Sequence, residues 1–316
     1  MKITNILKPK STKEILVEIK ILNNNDLIIK SSIVGFICGV KLALVRGVDI
    51  NNTSYNPLSL AADNGHANIV KLLLEKGSDV HANNNRALRL SAESGHIKIV
   101  KLLLENGADV HANNDNALVS SAENGYTEIV KLLLEKGADV HANNNRALRR
   151  SSENGHINIT KLLIKKGANI HANDEYALSF AADSGHIEIV KLLLKKGANP
   201  RINCSISLRW AADRGHNDIV KLLLNSGCNK DINFNHGEAL RWAANNGFAE
   251  TVKILLAYGA NVHIETDTSL KWAAENGKLE VVKVLLSAGA IANIKMIELA
   301  SANGYNEIAK LLTNYI

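Results

Sequence analysis

HANNNRALRLSAESGHIKIVKLLLENGADV, residues 81–110, is followed directly by HANNDNALVSSAENGYTEIVKLLLEKGADV, residues 111–140. The two segments align without a gap, which shows that the chain contains an internal repeat. A glycine in the same frame recurs about every 30 residues along the chain, which predicts about ten repeats from residue 27 to residue 316. These glycines are Gly35, Gly65, Gly95, Gly125, Gly155, Gly185, Gly215, Gly247, Gly277 and Gly304.

Each repeat carries two helical patterns. Leu88, Ser91 and Ala92 lie on one face of a short first helix, whose small residues allow close stacking. Gly95 ends this helix by supplying a positive φ, and a more apolar second helix follows and ends at Gly107. The Asn-rich and Asp-rich segment between repeats predicts a turn, because these side chains bond to their own backbone and tolerate left-handed geometry. We expect an asparagine such as Asn85 or Asn145 to be the N-cap of the first helix.

The pattern LxxAAxxGHxxIVKLLLxxGADVxA resembles the ankyrin repeat, in which a β-turn finger precedes two antiparallel helices. The resemblance implies an all-α fold, an ankyrin-repeat solenoid of about ten stacked helix-turn-helix units with short β-turn fingers. The Thr-Pro-Leu-His motif of the family is absent, and Asn56-Pro57-Leu58-Ser59 comes nearest to it. The shortened repeat is similar to that of ankyrin proteins encoded by giant DNA viruses.

The ends of such a stack need caps, because each repeat buries its apolar face only against its neighbours. Helically spaced apolar residues between Thr12 and Leu22 suit this role. We therefore expect an N-terminal capping segment at 1–26 and the ankyrin-repeat domain at 27–316, with atypical first and last repeats.

The composition limits the cellular location and the classes of partner that we expect for this chain. A net charge of +6 from 37 basic and 31 acidic residues is mild for a nucleic-acid binder. Three scattered cysteines and the absence of a signal-peptide pattern or long apolar span predict an intracellular, cytoplasmic protein, in the host cell if it is viral. We expect no nucleic-acid or membrane partner and no small-molecule substrate.

Every repeat has a lysine six residues after its glycine. Most of these lysines have a glutamate or aspartate three residues before or four residues after, which predicts ion pairs on a solvated helix surface. One stretch is predicted to lack this balance and to suit an acidic contact. It comprises Lys161, Lys165, Lys166, Lys191, Lys195 and Lys196.

Histidines recur after the repeat glycines and after the second helices. Stacked helices lie about 8 to 10 Å apart, so equivalent histidines cannot share a metal ion, and we predict structural roles and no metal site. His81, His111 and His141 are candidates for hydroxylation, because Leu73 followed by Asp79-Val80-His81 resembles the site that asparaginyl hydroxylases modify in ankyrin proteins.

One position of the first helix, two residues after its core leucine, varies in an informative way. It is Phe180, Trp210, Trp242 and Trp272 in consecutive repeats, where Arg209, Arg241 and Lys271 precede the tryptophans. A longer finger with Phe234 and His236 lies among these repeats. Clustered Trp and Arg dominate interface energetics, so we predict a partner-binding surface from these nine residues. Two alternatives remain, that the rings pack between first helices and that the arginines pair internally. The candidate pairs are Arg89 with Glu93, Arg149 with Glu153, and Arg209 with Asp213.

No nucleophile, base and orienting group stand together outside the repeat pattern, so we expect neither an enzyme nor a cofactor. The predicted function is a non-catalytic protein-protein interaction scaffold that binds a partner through its concave groove and finger loops. An alternative is a substrate-recruiting adaptor of a host ubiquitin ligase, which would recruit through Met1 to Asp26.

Overall fold

The computed structural model describes residues 23–52, 56–202 and 204–316. These residues form 20 α-helices and one short 3-10 helix, with no β-strand among them. The chain divides into two compact units, one up to Ala142 and one from Asn143 onwards. Most of the predicted capping segment, residues 1–22, lies outside the described residues.

The N-terminal unit contains four helical hairpins, each with an inner and an outer helix. Its helices are α1 (Asn24–Val34), α2 (Ile37–Val45), α3 (Pro57–Asp63), α4 (Ala67–Glu75), α5 (Ala82–Glu93), α6 (Ile97–Glu105), α7 (Ala112–Glu123) and α8 (Thr127–Glu135). The odd-numbered inner helices pack on one another in chain order.

The C-terminal unit contains six further hairpins, and its first helix begins one residue before the division. Its helices are α9 (Ala142–Glu153), α10 (Ile157–Lys165), α11 (Ala172–Asp183), α12 (Ile187–Lys195), α13 (Cys204–Asp213), α14 (Asn217–Asn225), α15 (Phe234–Asn246), α16 (Ala249–Ala257), α17 (Thr268–Glu275), α18 (Leu279–Ser287), α19 (Ile294–Ala302) and α20 (Asn306–Thr313). From α11 to α19 each inner helix packs on the next. The prediction of an all-α ankyrin-type fold with about ten repeats is confirmed.

The buried residues are those that the repeat pattern places on the inner faces. In the third repeat, Leu88 and Ala92 of α5 and Leu103 of α6 are at most 1% exposed. Gly95 and Gly107 adopt φ of 81° and 91°, as the predicted helix ends require. Local sequence and tertiary burial therefore agree in every regular repeat.

Each regular finger combines two turns. A β-turn comes first, in which the Ala82 N–H donates to the Asp79 carbonyl oxygen (3.3 Å). Asn83, Asn84 and Asn85 then follow with φ of 54°, 56° and 53°, which makes a short left-handed turn before the helix. Left-handed geometry costs most L-residues about 1–2 kcal/mol each, and asparagine tolerates it best. The run of asparagines is the local sequence that suits this turn.

The prediction that Asn85 and Asn145 cap their own helices was wrong. Both are left-handed, and their Oδ1 atoms accept the backbone N–H groups of Asp109 (2.8 Å) and Asn169 (2.7 Å) in the following finger. Asp115 and Glu175 occupy the same position and accept from Asp139 and Asn199 in the same way. In these four repeats the residue at this position supplies the side-chain oxygen that joins consecutive fingers.

Asparagine does act as an N-cap at three other inner helices. Asn56 Oδ1 accepts the Ser59 N–H (2.8 Å) ahead of α3, with Pro57 at the first helical position. Asn23 and Asn293 cap α1 and α19 in the same way. Asparagine thus serves in two different hydrogen bonds, as an N-cap in these helices and as a link between fingers at Asn85 and Asn145.

Inner helices are also linked by the residues that follow the repeat glycine. The His96 ring lies against Gly65, where an added Cβ would come within 2.8 Å of Cε1, and His96 Nε2 lies 2.9 Å from the Asp63 carbonyl oxygen. His66, His186 and His216 repeat this arrangement on Ile33, Glu153 and Asp183. The predicted structural role of these histidines is confirmed.

Where another ring replaces the histidine, an asparagine two residues earlier supplies the donor. Tyr126 packs against Gly95, and Asn124 Nδ2 donates to the Glu93 carbonyl oxygen (3.2 Å). Asn246 with Phe248, and Asn303 with Tyr305, bond in the same way to the carbonyl oxygens of Asp213 and Glu275. The carbonyl at this helix end is thereby satisfied in both kinds of repeat.

Candidate protein-binding surface

The aromatic residues of the inner helices form two clusters in the C-terminal unit. Phe180 of α11 lies between Tyr176 (5.6 Å between ring centroids) and Trp210 (5.7 Å). Trp242 of α15 and Trp272 of α17 meet edge to face at 5.9 Å. The rings pack on one another across inner helices, as the alternative predicted, and they keep exposed area, with Trp242 37% exposed. Their use in partner binding stays a prediction. Such rigid, half-exposed rings supply contact area at low entropy cost.

The arginines before the tryptophans are held by neighbouring repeats. Arg209 Nη1 lies 3.1 Å from Glu238 Oε2, and Arg241 Nη1 lies 3.1 Å from Glu265 Oε2. Arg241 also stacks over the Trp272 ring, with 5.4 Å to its centroid. These contacts hold the guanidinium groups in fixed positions beside the rings. The positive charges of the two arginines are therefore partly neutralised, and the side chains on this surface have a defined arrangement.

The predicted pairing of arginines four residues before an acid was wrong in its partners. Arg209 pairs with Glu238 and not with Asp213, and Glu153 pairs with Arg150 at 2.7 Å. Arg149 Nη2 instead donates to the Asn143 carbonyl oxygen in its own left-handed turn (3.1 Å). Arg89 and Arg241 make the equivalent bond to Asn83 and Asn235. A shared role of these arginines is therefore to hold the finger against the helix that follows it.

The long finger adds exposed groups to the surface. Phe234 is 62% exposed, and His236 Nδ1 lies 3.3 Å from Glu265 Oε1. Lys271 is half-buried next to Trp272 and has no hydrogen bond or ion pair in the described part of the chain. The structure thus places all nine predicted residues on inner helices or fingers of one unit.

Sequence reasoning missed a cationic group at the start of the same unit. Burial, and then the positive charges of Arg146 and Arg150, lower the pKa of the Arg149 guanidinium. The phenol of Tyr176 lies near enough to oppose this shift. The signal was present in the sequence as three arginines within two turns of α9, close to the first aromatic cluster.

The N-terminal unit has a cleft between two of its inner helices. A cleft of about 350 Å³ between α3 and α5 is lined by Asn56, Ser59, Leu60, Asp63, Asn83, Arg86, Arg89 and Leu90. Leu60 and Leu90 stand there at the helix position that Trp210 and Trp242 occupy in the C-terminal unit. These leucines provide matched controls for the tryptophans.

The lysine row behaves as predicted on the outer helices, with one exception. Lys71 and Lys101 pair with the acids four residues later (3.9 Å each), and Lys253 and Lys283 pair with the acids three residues earlier. The exception is Lys191, which was placed in the unbalanced stretch but binds Glu188 at 2.7 Å. The remaining lysines of that stretch have no such partner among the described residues.

The three histidines predicted as hydroxylation candidates lie in the β-turns of the fingers. The backbone N–H of each histidine donates a hydrogen bond to the Oδ1 atom of the aspartate two residues earlier, which is Asp79, Asp109 or Asp139. All three residues are exposed. Their modification stays a prediction.

A family model described as ankyrin repeats matches the chain in overlapping segments that together run from residue 27 to residue 316. The chain belongs to the ankyrin-repeat family. No curated protein is significantly similar to this ankyrin chain. None of its described helices is long and apolar enough to cross a membrane. Nor do three or more His, Cys, Asp or Glu side chains of the described residues gather as a metal-binding group.

Proposed function

We propose that this ankyrin protein is a non-catalytic scaffold that binds a partner protein through the inner helices and fingers of its C-terminal unit. Ankyrin repeats are generally protein-protein interaction modules, and the observation that carries the proposal is the pair of half-exposed aromatic clusters on consecutive inner helices. A soluble repeat protein gains little stability from rings held partly in water, whereas a partner gains large contact area from them.

The surrounding contacts support this use of the surface. Arg209 and Arg241 are oriented by acids of the next repeat, so they present fixed hydrogen-bond donors at the rim of the rings. Pre-oriented side chains lose less conformational entropy when a partner binds. The most exposed ring, Phe234, extends the same surface onto the long finger.

The test compares two sets of substitutions at one helix position. Trp210→Ala, Trp242→Ala and Trp272→Ala are combined in one variant, and Leu60→Ala with Leu90→Ala forms the matched control in the N-terminal unit. Partners are identified by affinity capture with the unmodified protein followed by mass spectrometry, and their affinities for both variants are then measured with purified proteins.

We expect the tryptophan variant to bind each captured partner at least about 100-fold more weakly, as loss of central aromatic anchors implies. The leucine control should bind within a few-fold of the unmodified protein. A tryptophan variant that keeps its helical circular dichroism and its affinity would refute the proposal.

The alternative of a ubiquitin-ligase adaptor depends on recruitment through Met1 to Asp26. All but the last four of these residues lie outside the described part of the chain. It therefore stands as a hypothesis about that segment alone.

A further inference from the structure

One finger position, the residue that precedes the left-handed turn in the regular repeats, changes character along the chain. It is alanine in four consecutive repeats, at Ala82, Ala112, Ala142 and Ala172, and then becomes Ile202, Phe234 and Ile264 in the next three. Ile202 is 55% exposed and Phe234 is 62% exposed, while Ile264 is half-buried where its Cδ1 approaches Gly237. We name Ile202, Phe234 and Ile264 the finger ridge.

The fold does not need these large side chains. Four repeats build the same finger with alanine at this position, and the residues that follow Phe234 and Ile264 adopt the same left-handed φ as those that follow Ala82. Large apolar side chains in consecutive repeats, two of them exposed and one half-buried, at a position where a methyl group suffices, indicate a contact with another molecule.

The charges around the finger ridge are not balanced. Its acids are already engaged, because Asp231 binds Arg201 (3.1 Å) and Glu265 binds both Arg241 and His236. Lys230 in the long finger and Lys271 on α17 have no partner among the residues that the structure describes. The positive charge left beside the finger ridge is complementary to an acidic partner.

The spacing of the repeats limits the conformation of that partner. Packed helices lie about 8 to 10 Å apart, so successive members of the finger ridge are separated by about this distance. An α-helix returns to one side after seven residues, which is about 10 Å along its axis. Side chains on one face of a β-strand recur after about 7 Å and would fall out of step.

We propose that the finger ridge binds an amphipathic α-helix of a partner protein, with apolar residues at steps of seven along one stripe and acidic residues beside that stripe. This inference rests on the proposed scaffold function and names the chemistry of its partner. The apolar stripe covers Ile202, Phe234 and Ile264, while the acidic residues face Lys230 and Lys271.

The probe is a synthetic alanine-based peptide of about 20 residues with leucine at every seventh position and glutamate at adjoining positions. Two control peptides are used. One has the same composition with the leucines at every fifth position, which scatters them around the helix, and the other has lysine in place of glutamate. Binding to the full chain is measured by fluorescence anisotropy.

The main variant combines Ile202→Ala, Phe234→Ala and Ile264→Ala, which gives these fingers the residue that four other repeats carry. Ile97→Ala removes an exposed apolar side chain from α6 and is the control for loss of apolar surface. Lys230→Glu tests the charge separately. Circular dichroism checks that each variant is folded.

We expect the unmodified protein to bind the heptad peptide at least about tenfold more tightly than either control peptide. The ridge variant should lose at least about tenfold in affinity, Lys230→Glu should weaken binding and its salt dependence, and Ile97→Ala should leave both unchanged. A protein that does not discriminate among the peptides, or a folded ridge variant with unchanged affinity, would overturn the inference.

Captured partners separate this inference from the scaffold proposal. If they require the tryptophans but bind the ridge variant normally, the finger ridge is not a docking site and the scaffold function stands. If they bind the tryptophan variant normally, the aromatic surface is not the binding site. The finger ridge is then tested by the peptide-binding measurements alone.

Discussion

At the scale of single residues, most neighbouring inner helices within each unit are joined by a hydrogen bond to one carbonyl near the helix end. Two donors serve it, a histidine after the repeat glycine or an asparagine before it, as in His96 on Asp63 and Asn124 on Glu93. Because the tyrosine that accompanies Asn124 keeps the ring against the glycine, shape and hydrogen bonding are separate requirements at this site.

This separation predicts a loss and a rescue. His96→Tyr keeps a ring over Gly65 but removes the bond to Asp63, so we expect a loss of about 1 kcal/mol in the free energy of unfolding. Adding Ser94→Asn reproduces the fourth repeat and should restore most of that loss. Urea unfolding of both variants and of Ser94→Asn alone completes the double-mutant cycle. A coupling energy near zero would contradict this account.

At the scale of structural elements, the fingers depend on left-handed turns whose last side chain reaches the next repeat. Asn85 combines both tasks, since it has a positive φ and accepts the Asp109 N–H. Its neighbours in equivalent fingers, Asp115 and Asn145, share these two properties. Each finger is therefore stabilised by the one that follows it.

Three substitutions of Asn85 separate the two tasks. Asn85→Asp keeps an acceptor, as Asp115 does naturally, and should change stability by less than about 0.5 kcal/mol. Asn85→Gly keeps the backbone but leaves the Asp109 N–H without its partner, which should cost about 1 kcal/mol or more. Asn85→Ala should cost about 1–2 kcal/mol beyond glycine because of the positive φ. Urea unfolding measures all three, and equal stability of the glycine and alanine variants would show that backbone strain is unimportant.

Much of each element could be predicted from one repeat, and the contacts between repeats could not. The helix ends at Gly95 and Gly107 and the buried Leu88 follow from local spacing, and the structure confirms them. The task of Asn85 was predicted wrongly because its hydrogen-bond partner lies 24 residues further on. Arg209 was misassigned for the same reason, since Glu238 belongs to a finger lengthened by two residues. The sequence predicted that the nine candidate binding residues lie on inner helices and fingers. The exposed fraction of each side chain and its ion-pair partner could not be predicted, because both depend on contacts between repeats.

At the scale of the whole molecule, stability is expected to be a sum of repeat terms and nearest-neighbour terms. Inner helices pack on the preceding and following inner helices of their unit, and core leucines such as Leu118 are almost fully buried. Damage to one repeat should therefore spread only to its neighbours.

Leu118→Ala tests this locality. We expect a loss of about 2–5 kcal/mol from the cavity in α7. Amide hydrogen exchange followed by mass spectrometry should show reduced protection in α5 to α8 and unchanged protection in α17 to α20. Uniform loss of protection along the chain would instead identify a single cooperative unit, and Leu270→Ala in α17 gives the reciprocal control.

The two kinds of donor at the inner-helix carbonyl, histidine and asparagine, have a consequence for the history of the gene. A block of about 30 residues that brings its own histidine or asparagine satisfies the block before it and exposes one free acceptor to the block after it. Copying, deleting or reordering such blocks by recombination leaves no orphaned carbonyl at the junction. The number of repeats can therefore change without the evolution of new hydrogen bonds between repeats. Natural variants that differ by whole repeats should fold.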